Sequence, residues 1–146
     1  MEQINKYQQE FEALRCCVIV PTYNNAGTIG NVINGILEYT NNIIIADDGS
    51  TDETSDIIKQ YPDVQIITLP VNTGKGFALG KGFKAALEKG FRYAITIDSD
   101  GQHLPGDLPS FLKKIKEVPD ALIVGERNMK QDTVPAGSSF GHKFSN

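Results

Sequence analysis

Short apolar runs at residues 16–20, 43–46, 64–69 and 93–97 alternate with segments whose apolar residues recur at helical spacing. A run that is apolar at successive positions has no polar face, so it reads as a strand covered on both sides. Between the first two runs, Ile29, Val32, Ile33, Ile36 and Leu37 follow an i, i+3, i+4, i+7, i+8 pattern, one face of a helix. Ser50 and Glu53 have the spacing of a capping box, opening a helix through Ile57 and Ile58 that Pro62 stops. Leu79, Phe83, Ala86 and Leu87 mark a further helix, with Gly90 placed to cap it just after Lys89. Leu108, Phe111, Leu112 and Ile115 mark the next, with Pro105 near its start, and residues 121–124 form a short fifth strand. The order βαβαβαβαβ predicts an α/β fold of three layers, helices covering both faces of a mostly parallel sheet.

Three segments are expected. Residues 1–15 read as a polar helical extension, apolar only at Ile4, Tyr7, Phe11 and Leu14, and residues 16–127 as one α/β domain. Residues 128–146, His142 among them, have no periodic apolar positions and read as a polar tail or the start of a missing region. A net charge of −4 with no dense Lys/Arg cluster argues against a nucleic-acid partner. Cys16 and Cys17 are adjacent on a strand and so point to opposite faces. They are expected as two buried thiols without a mutual disulfide, in a reducing, cytoplasmic compartment. The polar start is not a signal peptide, and no apolar run is long enough to span a membrane. A membrane-attached partner is compatible with all of this.

In open parallel sheets, ligands bind at the carboxyl ends of the strands. Four polar or glycine-rich segments fall there: Pro21-Thr22-Tyr23-Asn24, Asp47-Asp48-Gly49-Ser50, the turn from Asn72 to Gly76, and the segment from Asp98 to His103. The sharpest is Asp98-Ser99-Asp100. Carboxylates at i and i+2 of an extended segment point the same way. They can share one hard divalent cation, Mg2+ or Mn2+, whose other positions go to water and ligand oxygens. Such an ion can bridge a diphosphate and neutralise it as a leaving group. The plainer reading is a pair of turn or capping aspartates.

Two other chemistries use the same residue types. HAD-type phosphatases carry D-x-D-G after a strand, where Asp98 would be a nucleophile and Asp100 an acid-base, although Gln102 stands in place of their Thr or Val. In a dinucleotide-binding fold, Gly74, Gly76 and Gly80 would form the phosphate turn and Asp98 the ribose acid. Lys75 inside that turn, and its extra length over residues 70–73, fit the fingerprint poorly.

Taken in order, Val18-Ile19-Val20-Pro21-Thr22-Tyr23-Asn24-Asn25, Asp47-Asp48-Gly49-Ser50-Thr51-Asp52, Asn72-Thr73-Gly74-Lys75-Gly76, Asp98-Ser99-Asp100-Gly101-Gln102-His103 and Gly125-Glu126-Arg127 resemble the motifs of family 2 glycosyltransferases of the GT-A type. The branch most similar is that of the dolichyl-phosphate mannose and glucose synthases. The resemblance runs from Cys16 to about Arg127 and implies the N-terminal, donor-binding part of a GT-A fold. It implies donor contacts from Pro21, Thr22, Tyr23 and Asn25, the last standing where many relatives carry Glu. Asp47 or Asp48, or both, would hold nucleobase and ribose, and Gly74, Lys75 and Gly76 would lie along the nucleotide. Asp98 and Asp100, with Ser99 between them and Gln102 beside them, would take the metal, and Arg127 would meet an anionic phosphate. His103 reads equally as a helix-start residue or a catalytic one.

The implied activity is metal-dependent transfer of a sugar, with inversion, from a UDP- or GDP-linked donor to a polyprenyl phosphate or a glycan, at the cytoplasmic face of a membrane where the acceptor is a lipid. The alternative is a catalytically incomplete nucleotide-sugar-binding domain.

Overall fold

The computed structural model describes residues 2–102, 104–120 and 142–143. The apolar runs are strands: β1 (Cys16–Thr22), β2 (Ile43–Asp47), β3 (Gln65–Thr68) and β4 (Tyr93–Thr96). All seven residues of β1 and all five of β2 are buried, as strands apolar on both faces require. The helices are α1 (Glu2–Leu14), α2 (Ile29–Leu37), α3 (Thr54–Ile58), α4 (Lys75–Glu88) and α5 (Leu108–Glu117), with a 3-10 turn at Pro105–Asp107. The strands lie in the order β3-β2-β1-β4 with every pairing parallel, and β5 (His142–Lys143) closes the far edge antiparallel to Tyr93 and Ala94.

Alternation along β1 divides the core. Cys16, Val18 and Val20 join Ile29, Ile33 and Ile36 of α2 and Leu108 and Leu112 of α5 on one face. Cys17 and Ile19 turn to the other, against Ala86, Leu79 and Phe83 of α4. The result is the three-layer arrangement expected. Both cysteines are free, and burial pushes the Cys17 thiol up to about 12 and Cys16 up as well. Neither is a nucleophile at neutral pH. Phe11 of α1 is fully buried in the same cluster as Val18 and Ile95.

Several local expectations change. The tight face of α4 is Ala78, Gly82 and Ala86, while Leu87 is 49% exposed. The helix lies so close to the sheet that a Cβ at Gly82 would fall 2.7 Å from Ile19 Cγ2. Small residues, not the large ones that dominate a periodicity count, therefore make the contact. The Ser50–Glu53 capping box does not form: α3 starts at Thr54 with no side-chain cap bond. The Ser50 hydroxyl accepts from Asn24 N (3.0 Å) instead, and Asp52 Oδ1 takes Thr54 N (2.9 Å). Gly90 does cap α4, with φ +86°, Gly90 N donating to Leu87 O and Phe91 N to Ala86 O, a Schellman pair. The predicted strand at residues 121–124 lies outside the described residues. The observed fifth strand comes from the segment read as patternless, because two residues paired through their backbones leave no side-chain signature.

The packing at Gly82 is testable against its neighbour Gly80, where an added Cβ meets nothing within 4 Å. Gly82→Ala is expected to lose about 1–3 kcal/mol through overpacking, even though Ala is preferred in a helix. Gly80→Ala is expected to gain about 0.5–1 kcal/mol. Urea unfolding midpoints should move in opposite directions; equal stabilisation by both would refute the close approach.

Candidate functional site

Strand order reverses at β1, which lies between β2 and β4 although β4 follows β3 in the chain. The carboxyl ends of β1 and β4 thus border a crevice that neither connection crosses, the usual ligand position in open α/β sheets. A cavity of about 330 Å³ opens there.

The end of β1 contributes Pro21, Thr22, Tyr23 and Asn25 to its wall. Tyr23 is 41% exposed at the mouth. Asn24 adopts φ +52°, which Asn tolerates, and ties this loop to the one after β2: its Oδ1 accepts Thr51 N (2.8 Å) and Asp52 N (3.3 Å). Asn25 N donates to Thr54 Oγ1 at 2.9 Å.

The two adjacent acids at the end of β2 divide their work. Asp47 is fully buried, its carboxylate accepting Ser50 N (3.1 Å) and the Ser55 hydroxyl (2.6 Å). It does not line the cavity; Asp48 does. Asp48 Oδ1 accepts Thr73 N and the Thr73 hydroxyl, both at 2.7 Å, and Oδ2 accepts Gly74 N at 2.8 Å. Burial acts to raise its pKa, but these three hydrogen bonds outweigh it and hold the carboxyl below its ordinary value. Gly49, φ +72°, lets the β3–α4 loop pass so close that a Cβ would sit 2.5 Å from Val71 C. Asp48 and Gly49 together fix the turn that carries Gly74 and Lys75 to the wall.

At the end of β4, Asp98, Ser99 and Asp100 all line the cavity. Ser99 is buried, donating its hydroxyl to Asn25 Oδ1 (2.6 Å), and its carbonyl accepts the Thr28 hydroxyl (2.6 Å). Asp98 Oδ1 is 2.5 Å from Lys75 Nζ. With side chains 59% and 25% exposed, that pair contributes at most about 1 kcal/mol. Asp100 Oδ1 accepts Gln102 N at 2.9 Å.

Ten expected residues therefore meet at one cavity: the four from β1, Asp48, Gly74, Lys75, Asp98, Ser99 and Asp100. Gly76 and Gln102 are exposed and outside its wall. His103 and Arg127 lie outside the described residues. Asn72, named with its turn but given no role of its own, lines the cavity, as does Ala78, which was not singled out; Ala78 could have been found as the first inward position of α4 past the Gly74 turn. Among the described residues no third His, Cys, Asp or Glu clusters with Asp98 and Asp100. The donor set is two carboxylates on one wall, with a cation already beside one of them. That suits a hard divalent ion whose remaining ligands are water and phosphate oxygens.

Comparison with known proteins agrees with this geometry. The family model "Glycosyl transferase family 2" matches residues 17–138. The UDP-N-acetylglucosamine–dolichyl-phosphate N-acetylglucosaminyltransferase of Methanococcus voltae is 35% identical over 127 residues, covering 75% of this chain and 51% of that protein. The undecaprenyl-phosphate mannosyltransferase of Micrococcus luteus is 29% identical over 124 residues, covering 80% of this chain and 49% of its own. The chain spans about half the length of the curated relatives it matches. Glucosyl-3-phosphoglycerate synthase from Mycobacterium tuberculosis, solved with Mn2+, UDP and glucosyl-3-phosphoglycerate, superposes with a TM-score of 0.62 at 24% identity. The match covers 77% of this chain and 43% of that one. The fold is the expected GT-A fold.

Asp48 gives the site a pH signature. Its folded pKa is lowered, so its stabilisation is present at neutral pH and down to about pH 4, near the unfolded value. It is lost as pH falls through the folded value. Asp48→Asn should cost about 1–2 kcal/mol at pH 7 and leave a flatter acid limb in urea unfolding measured from pH 7 to pH 2. Parallel pH profiles for the two proteins would refute this role.

Proposed function

The chain belongs to glycosyl transferase family 2, and from that premise we propose that its cavity binds a nucleoside diphosphate sugar for transfer to a lipid phosphate. The observation that carries the reading is the convergence of Asp98, Asp100 and Lys75 on one wall at the reversal of strand order. Family membership sets aside the phosphatase and dinucleotide readings of these acids and of the glycines at 74, 76 and 80. The Methanococcus and Micrococcus relatives, a dolichyl-phosphate and an undecaprenyl-phosphate glycosyltransferase, support a polyprenyl-phosphate acceptor; a glycan hydroxyl is the other class of acceptor.

Asp98 and Asp100 are the residues that would hold Mg2+ or Mn2+, and such an ion would supply charge neutralisation to a departing diphosphate. The Lys75 ammonium, on an exposed and weakly held pair, is within reach to turn to a phosphate oxygen. Gly74 brings backbone close to the nucleotide, on a turn that Asp48 anchors. The exposed ring of Tyr23 offers the base a face at the mouth. Any carboxylate contact to the N–H edge of uracil or guanine falls to Asp48, the one of the two acids after β2 that lines the cavity. Arg127 is expected to meet an anionic phosphate bidentately.

In the transfer, an acceptor oxygen attacks the anomeric carbon opposite the diphosphate, one C–O bond forming as the other breaks, and the configuration inverts. A lipid phosphate attacks as an anion and needs no general base, whereas a hydroxyl would need one.

Thermal unfolding with UDP, GDP, UDP-glucose and GDP-mannose, each with and without Mn2+, tests the donor site. A ligand at about 100 times its Kd adds roughly 2.7 kcal/mol, several degrees for a domain of this size. The expected result is a Mn2+-dependent shift with nucleotides of one base, lost in Asp98→Asn. A cooperatively unfolding chain that no nucleotide shifts would refute donor binding. A nucleotide shift with no sugar transfer to a polyprenyl phosphate would favour a binding domain without turnover.

A further inference from the structure

Residues 81–92 hold four cations, Lys81, Lys84, Lys89 and Arg92, against one carboxylate, Glu88, a net +3 in a chain of net −4. In sequence they are spread out. Winding α4 brings Phe77, Lys81, Lys84 and Glu88 onto one face, opposite the buried Ala78, Gly82 and Ala86. Phe77 is 52% exposed, Leu87 beside this face is 49% exposed, and Val71 in the preceding loop is 63% exposed. Lys89 and Arg92 follow at the exposed end of the helix. The Lys81 ammonium lies 5.2 Å from the centroid of the Phe77 ring.

Cations interleaved with exposed apolar side chains fit the interface of an anionic bilayer. The Phe77 ring and Leu87 reach the acyl boundary while the lysine stems snorkel to the headgroups. An acidic protein surface would match the charge but has no use for three unburied apolar groups beside it. No helix among the described residues is long and apolar enough to cross a membrane, so the contact is a face lying on the surface. Its place matters for the reaction. Lys75 and Ala78 of the first turn of α4 line the cavity, and Phe77 sits across the same turn. One helix diameter, about 10–12 Å, therefore separates the site from the docked face.

We propose that the outer face of α4, through Phe77, Lys81, Lys84 and Leu87, docks the chain on an anionic lipid surface, with the cavity on the other side of the same helix. The inference deepens the lipid-phosphate reading and rests on it for its purpose, but the docking is measured without catalysis.

The test is co-sedimentation of the chain with vesicles of phosphatidylcholine alone and of phosphatidylcholine with about a third phosphatidylglycerol. The chain should sediment with the anionic vesicles only, and less so at high salt. Lys81→Gln with Lys84→Gln should weaken binding roughly thirtyfold, about fivefold per charge. Phe77→Ser should weaken it about tenfold. Lys113→Gln, an exposed lysine on α5 across the sheet, should leave it unchanged. Equal binding to both vesicle types, no binding to either, or an equal loss in Lys113→Gln would overturn the proposal. Nucleotide-dependent thermal shifts, run on the same double variant, should match the wild type. A chain that docks yet never responds to nucleotide would keep this inference and defeat the donor reading.

Discussion

β1 is bonded along both edges, to β2 and to β4, and is buried on both faces. β2 is likewise paired on both edges and buried, but β1 is the strand that joins the two acid-bearing strand ends, β2 and β4, and the rim of the cavity depends on it. Its register with β2 sets Thr22 level with Asp47, and its register with β4 sets Ile19 level with Thr96. The loops that follow therefore emerge at heights fixed by backbone hydrogen bonds rather than by the loops themselves. Moving β1 by one residue would exchange the faces of Val18 and Ile19 and empty both halves of the core at once.

The site above this strand is organised by neutral or enclosed groups and charged by exposed ones. Asp47 and Asp48 spend their carboxylates on protein donors, the first within the β2–α3 loop and the second on the β3–α4 turn. Asp98 and Asp100 keep theirs at the cavity wall, one beside Lys75 and the other on the backbone of Gln102. Of these four acids, Asp47 is scaffold, Asp98 and Asp100 are wall, and Asp48 is both, lining the cavity while it holds the turn. Nothing in their residue type separates them. What separates them is which donors the neighbouring loops bring within reach.

That is also where reading the sequence stops. Runs such as residues 16–20 and 43–46 disclose strands because burial on two faces leaves a one-dimensional trace, and the order of strands and helices follows. The ends of those strands disclose which loops share a rim, so most of the cavity wall was legible from Asp98, Lys75 and Pro21 outward. The small-residue face of α4 was not. Ala78 and Gly82 carry little weight in a hydrophobic count, and their importance comes from the distance to Ile19. The capping box failed for a related reason: Ser50 and Glu53 had the spacing, but Asn24 N took the Ser50 hydroxyl and Asp52 took the N–H of Thr54, where the helix starts. The role of Asn25 as an acceptor for Ser99 joins residues 74 positions apart and has no local signature.

That last bond bears on where the acidic pair gets its aim. Ser99 is the unspecified letter of the D-x-D motif, yet it is the one member turned into the protein, pegged at its hydroxyl by Asn25 and at its carbonyl by Thr28. Two carboxylates that flank a peg cannot drift independently of the socket. Functional groups of this kind must be held to roughly half an ångström, and here the tolerance is set by uncharged side chains on the other side of the crevice. A family member could keep both aspartates and still lose their alignment by changing only the socket.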